Sequence, residues 1–420
     1  MIKRAISDYP LVIIALLLTA FGIAVVYSAG QTDVPVAAVA GAWKRQLAWF
    51  AISLAAAWVC TRASVRFFEW ATVPAYVLSV ALLALTLFFG SGAGTASSMK
   101  GWITLGGVRL GQPAELAKVA VALMLAKVLA TRRDAPKSLL DLVKPALVVV
   151  IPFLLVMAQP DLGTAMVFVG MFFTMLFWAG ASAQLLLLAA SPAISLGLAF
   201  STQLWGAWFL IFVAIVLIYR PYIAEGVVLV VANVIMGVAA PILWDQLSTY
   251  QQNKLQVFLD PGRDPKRSGY HILQSRIAIG SGGWLGKGFT HGSQKRLAFL
   301  PEQHTDFIFA VLGEELGFIG VTFALLLFLF LFLRVIRVAT RANDSFSSLL
   351  AFGLAGSWFV HVLVNVGMTI NLMPITGIPL PFFSYGGSFL LACWISVGML
   401  VRISSEGRGK AGEMPFELGR

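Results

Sequence analysis

Apolar residues along this chain gather in runs of roughly 17–25, the length at which a helix crosses the hydrocarbon core of a bilayer. Twelve such runs are predicted, at about 11–29, 46–62, 71–90, 113–131, 143–159, 162–180, 183–201, 204–219, 223–243, 308–334, 347–369 and 384–402. The first exceeds the 7–15 residues of a cleaved signal sequence and is read as an uncleaved span. Between the runs at 223–243 and 308–334 lies a polar stretch, about 244–306, while most other connectors are short.

The connectors carry the positive charge. Lys3, Arg4, Arg62, Arg66, Arg132, Arg133, Lys137, Arg220, Arg334, Arg337, Arg341, Arg402, Arg408 and Lys410 fall on one side if the chain starts in the cytoplasm. The short connectors opposite hold only Lys44, Arg45, Lys100 and Arg109. The bias follows the positive-inside rule, so both termini are expected in the cytoplasm and 244–306 outside; a loop of that length translocates regardless of its charge.

Composition agrees. Of 420 residues 59% are hydrophobic and 12% charged, against about 25% charged in a soluble domain. The net charge of +11 could suggest nucleic acid, but its placement in connectors argues for a membrane and no nucleic-acid partner. Cys60 and Cys393 lie inside apolar runs and read as small core hydrophobes. The expected fold is an all-α polytopic membrane protein forming a single domain.

Four regions, the first of them the long connector, hold groups that could carry chemistry. In FLDPGRDPKRSGYH (258–271), Asp264 stands between Arg263 and a proline and is a candidate general base; Asp260 competes with it, and either Asp-Pro could simply begin a turn. Downstream, GSGGWLGKGF sets glycines beside Lys287, which suits an anionic, phosphate-bearing group. It is not a nucleotide-binding P-loop, because Ser281 holds the first glycine position and Gly288 follows the lysine. In WITLGGVRLGQPAELAK, Glu115 and Lys118 are three apart at a helix start, share one face and can pair. They could serve a cavity or only stabilise the helix end, and Trp102 upstream could be an interface anchor. In FLPEQHTDFIFAVLGEELG, Glu302, His304 and Asp306 cluster before a span, and Glu314 and Glu315 inside it each need a partner. MPITGIPLPFFSYGGSF, rich in proline and glycine, suggests a turn dipping against the protein.

These stretches, with QPDLGTA, resemble the SEDS family (shape, elongation, division and sporulation) over most of the chain, and the forms HILQS, FLPEQH and TGIPLPF are closer to its RodA-like elongation branch than to its FtsW-like division branch. The resemblance implies a peptidoglycan glycosyltransferase that polymerises lipid II on the outer face of the bacterial cytoplasmic membrane and releases undecaprenyl pyrophosphate. It implies Asp264 as the catalytic carboxylate and matches Trp102, Glu115 and Lys118 to the family's motif; Arg263, Gln274, Ser275, Lys287, Glu302, His304 and Asp306 are the further expected substrate-binding or supporting residues. It also implies a class B penicillin-binding protein (a PBP2-like transpeptidase) and the elongation machinery as partners, and a divalent cation, Mg or Mn, could assist the diphosphate. The family usually has ten spans, so an extra helix pair is expected within 181–243. The rival readings are a lipid II flippase, a division-specific glycosyltransferase, and a scaffold whose partner does the catalysis.

Overall fold

The computed structural model describes residues 8–33, 39–92, 100–105, 108–132, 134–219, 221–246, 252, 256, 268–300 and 302–407. Asp260, Arg263, Asp264, Lys266 and Arg267 lie outside the described residues.

Helices fall on all the predicted runs. They are α1 (Tyr9–Ala29), α2 (Ala42–Arg62), α3 (Val65–Phe89), α4 (Pro113–Ala130), α5 (Leu139–Ala158), α6 (Leu162–Trp178), α7 (Ala183–Leu198), α8 (Thr202–Tyr219) and α9 (Ile223–Gln246). After the long connector come α12 (Ile308–Thr340), α13 (Ser345–Thr369) and α14 (Gly387–Gly407). Within it lie α10 (Ser268–Gly282) and α11 (Ser293–Arg296). Eight of these helices are long and apolar enough to cross a membrane. α6 and α7 are shorter, and α2 and α4 are not among the eight. α2 carries Lys44 and Arg45 in its first turn, and α4 carries Glu115, Lys118 and Lys127.

Starts and stops follow local chemistry. Asp8 caps α1 by accepting from the Leu11 N–H, with a proline in the first turn, and Asp161 and Asp344 cap α6 and α13 in the same way. Ser138 and Asp141 close a capping box on α5. The expectation of an all-α chain needs one amendment. β1 (Gly90–Ser91), β2 (Trp102–Leu105) and β3 (Val108–Gly111) form an antiparallel sheet pairing Ser91 with Trp102 and Leu105 with Val108. WITL and VRLG flank a Gly-Gly pair, a hairpin signal that the runs beside it overshadow.

α13, α14 and α4 form the centre and are buried along most of their length. α2 packs along α14, α3 along α4, α6 along α13, and α1 along α12. α7, α8 and α9 pack chiefly on one another, through Leu188, Phe212 and Leu229. A polar clamp joins them: Asn233 accepts from Ser195 (2.5 Å) and donates to Ser191 (2.8 Å), while Trp208 donates to Ser195 (3.0 Å).

α12 is too long to be one straight span, since 33 residues at ~1.5 Å each exceed a ~30 Å core. It breaks at Gly317 (φ 60°, ψ −159°). The glycine-rich turn after α10 fills the break. Phe318 and Ile319 donate their N–H groups to the Gly283 and Trp284 carbonyls (2.8 and 3.2 Å), and Lys287 and Gly288 donate to the Glu314 and Glu315 carbonyls (both 3.0 Å). Where lipid offers no replacement partner, this exchange satisfies the groups freed by the break. A Cβ at Gly286 (φ 78°) would lie 2.1 Å from the Glu315 carbonyl oxygen. A Cβ at Gly282 would likewise lie 2.0 Å from the Gly313 carbonyl oxygen, so these two glycines serve backbone packing.

Gly286→Ala is accordingly expected to lower stability by at least about 1–3 kcal/mol. A thermal melt of the detergent-purified protein that matches the parent would contradict this account.

Candidate active site

The polar connectors converge at one end of the bundle, where α1 and α3 end and α2, α4, α6 and α14 begin. Segment 378–389 joins them. The Ile378 carbonyl accepts from the Asn365 amide (2.8 Å), which also donates to the Asp306 carbonyl (2.9 Å). Ser384 donates its hydroxyl to the Thr305 carbonyl and accepts from the Leu380 N–H. Tyr385 donates its N–H to the His304 carbonyl (2.9 Å). Gln46 closes the turn, accepting from Gly386 N–H and donating to the Ser384 carbonyl (both 3.1 Å). The proline-rich stretch thus does dip into the protein, with Ile378, Leu380, Phe382 and Phe383 buried.

Below this turn lies a charged group that is almost entirely buried. The Lys118 ammonium is 2.6 Å from the Glu115 carboxylate and 2.7 Å from Nε2 of His361. Nδ1 of His361 faces the Pro379 carbonyl at 2.9 Å. A carbonyl only accepts, so Nδ1 carries the proton and Nε2 offers its lone pair to the ammonium. Phe389 stacks on His361 (4.6 Å) and lies 5.0 Å from the ammonium. Gln112, just before α4, donates to Asp161 (3.0 Å) and accepts nothing from Ser388, whose hydroxyl instead accepts the Gln112 N–H (3.2 Å). The lysine is thus held by residues from α4, α13 and α14.

A second buried set lies between α1, α11 and α12. Lys295 donates to Glu315 (2.8 Å), the Ser28 carbonyl (2.6 Å) and the Ser28 hydroxyl (2.9 Å), and Ser28 donates to Glu315 (2.5 Å). Burial pushes the Lys295 ammonium below its usual range, with the Glu315 hydrogen bond opposing. Glu314 accepts from Lys287 (2.8 Å), Ser293 (3.1 Å) and the Gln294 N–H (2.9 Å). Both glutamates find partners, all three of those of Glu314 falling on Oε1 while Oε2 stays unbonded among the described residues.

The remaining predicted residues divide as follows. Trp102 is half-buried on β2. Gln274 is half-buried on α10, and the neighbouring Ser275 is buried, donating to the Thr369 carbonyl (2.8 Å). Lys287 lies in the glycine turn, where its ammonium pairs with Glu314 (2.8 Å) and donates to the Ser293 hydroxyl (2.7 Å). Glu302 takes φ 48°, and its carbonyl receives the Thr305, Asp306 and Phe307 N–H groups. Asp306 is half-buried, close enough to Gly377 that a Cβ there would approach its Oδ2 to 3.0 Å. His304 is buried beside Tyr385, with Nδ1 unbonded among the described residues. Arg263 and Asp264 lie outside the described residues. Among the described residues no group of three His, Cys, Asp or Glu side chains is placed to hold a metal ion.

Composition and spacing did not single out His361, Lys295, Ser28, Asn365 or Gln46. A histidine within an apolar run, with Asn365 four residues on, was the available signal.

The family of cell cycle proteins that groups FtsW, RodA and SpoVE matches residues 9–208 and 194–409. This chain belongs to that family. It is 36% identical over 397 residues to the Escherichia coli (strain K12) peptidoglycan glycosyltransferase MrdB, covering 94% of this chain and 93% of that protein. It is 33% identical over 434 residues to the peptidoglycan glycosyltransferase RodA of Treponema pallidum (strain Nichols), covering 96% and 99%. Among solved structures it is similar to a chain described under "Structural coordination of polymerization and crosslinking by a peptidoglycan synthase complex" (TM-score 0.69, 27% identity, 96% and 99% covered). It is also similar to Thermus thermophilus RodA, a rod shape determining protein (TM-score 0.60, 26% identity, 94% and 96% covered).

Two outcomes follow for this family member. Lys295→Met leaves Glu315 buried without its cation and should cost about 3–5 kcal/mol; Lys295→Met with Glu315→Leu should recover much of that in thermal melts. Burial, then the Arg45 charge, bring the His304 pKa down to about 4. The unfolded chain takes up that proton near pH 6.5, so stability is complete above pH 6.5 and declines toward pH 4. At pH 5 the loss is about 2 kcal/mol for this one group, and His304→Gln should flatten that part of the stability profile.

Proposed function

We propose that the chain is a RodA-like peptidoglycan glycosyltransferase that polymerises lipid II during cell-wall elongation. The observation that carries this reading is end-to-end likeness to peptidoglycan glycosyltransferases together with the gathering of the motif-bearing connectors at one end of the bundle, above the Glu115–Lys118–His361 group. In this reading the protein sits in the bacterial cytoplasmic membrane with twelve crossings and both termini inside, and the connector end faces outward. α7–α9 contain the surplus pair relative to a ten-span relative.

Asp264 takes the proton from the 4-hydroxyl of the acceptor GlcNAc. That oxygen attacks C1 of the donor MurNAc, and the bond to the diphosphate breaks, its electrons leaving with undecaprenyl pyrophosphate. A single displacement inverts C1 and forms the β-1,4 link. Arg263 is assigned to the growing charge on the diphosphate. Lys118 is held on three sides, so its role is to fix α4, α13 and segment 378–389 as the floor under the reacting sugars. Trp102, Gln274 and Asp306 are assigned to contacts with the sugars beside that floor. A class B penicillin-binding protein is the assigned partner, consistent with a structural relative described in a complex of polymerisation and crosslinking.

The test is polymerisation of labelled lipid II by the reconstituted protein with its transpeptidase. Asp264→Asn should lose on the order of 10²-fold or more in rate, and Asp260→Asn should retain most of it. The reverse ranking would displace Asp264 as the base, and lipid II translocation by vesicles that form no glycan would favour a flippase.

A further inference from the structure

At the end of the bundle opposite the candidate active site, α1 and α12 leave a groove of about 330 Å³ between them. Ile14 forms one wall, Phe330 and Leu333 the other, and Arg334 and Arg337 stand along it. Phe330 and Leu333 are each 52% exposed, so this wall faces the surroundings rather than another helix. The arginines differ in their partners. Arg334 donates to Asp8 (2.7 Å), whose other oxygen accepts from Ser404 (3.2 Å). Arg337 is exposed, and no acid pairs with it among the described residues. Arg341, one turn further, is likewise exposed and outside every ion pair among the described residues.

Basic residues near a helix C-terminus are favoured by the helix dipole and by the positive-inside bias. Those preferences account for charge at this level of the chain. They do not account for an open apolar cleft beneath it. Arg334 and Arg337 stand three residues apart at the end of α12, Arg341 caps it four residues on, and a single carboxylate neutralises only the first. The unbalanced charge calls for an anion, and the apolar cleft calls for a hydrocarbon chain. A phosphate on an acyl chain supplies both.

We propose that this groove is a binding site for an anionic phospholipid of the leaflet at that end, with an acyl chain along Ile14, Phe330 and Leu333 and the headgroup phosphate on Arg337 and Arg341. Arg334 is kept in place by Asp8 and shapes the rim. The site does not depend on the glycosyltransferase reading, since it lies at the other end of the molecule and uses none of its residues.

The experiment is native mass spectrometry of the full chain released from nanodiscs containing equal phosphatidylglycerol and phosphatidylcholine. The parent should retain one phosphatidylglycerol in preference to phosphatidylcholine. Arg337→Gln removes one charge-assisted contact and should lower that retention about tenfold. Leu333→Trp fills the cleft, leaves every charge in place, and should lower it as well. Arg66→Gln, an exposed cation away from the groove, should change nothing. Equal retention of the two lipids, an Arg337→Gln protein that retains phosphatidylglycerol like the parent, or an equal loss in Arg66→Gln would each overturn the site. Displacement of the lipid by millimolar inorganic phosphate, with Leu333→Trp indifferent, would overturn it in favour of a free-anion site.

Discussion

A polar group placed where no water can reach must find its partner within the protein. That constraint organises this molecule. The break in α12 at Gly317 frees backbone donors and acceptors, and the turn after α10 supplies their replacements bond by bond. The turn can come that close only because Gly282 and Gly286 lack side chains where they meet the Gly313 and Glu315 carbonyls. The adjacent glutamates obey the same rule: Glu315 closes on Lys295 and Ser28, and Glu314 on Lys287 and Ser293. Motifs that look like separate features are two halves of one backbone repair.

The Glu115–Lys118–His361 group extends the argument into the centre of the bundle. An ammonium with a carboxylate on one side, an imidazole lone pair on another and an aromatic ring nearby has little freedom left. Its worth lies in geometry. It ties the start of α4 to α13 and, through the Pro379 carbonyl and Phe389, to the segment entering α14. The connectors at that end therefore rest on a floor whose parts are far apart in the chain and cannot shift independently.

The periphery is built on different terms. α7–α9 hold together around three buried residues, the partly buried side chains packed on them and one serine–asparagine–tryptophan clamp, and α8 buries only Phe212. Loose attachment of this kind leaves the central helices to define the site and the outer ones to vary.

The runs of apolar residues were enough to place every long helix, because span length and lipid exposure are properties of local composition. The pairing of Glu115 with Lys118 was legible too, since three residues of helix put them on one face. Spacing also announced that Glu314 and Glu315 needed partners, and the proline-rich stretch announced a turn against the protein. It could not say which partners. His361 reaches Lys118 across 243 residues, Ser28 reaches Glu315 across 287, and the glycine turn meets a helix break that its own sequence does not encode. The sequence by itself determined a lipid-soluble helical bundle with its charges at the ends. Which charges neutralise one another, and which glycines are there for packing rather than for an anion, was decided only in three dimensions, because a buried charge is satisfied by whatever the fold brings within 3 Å and not by its neighbours in the chain.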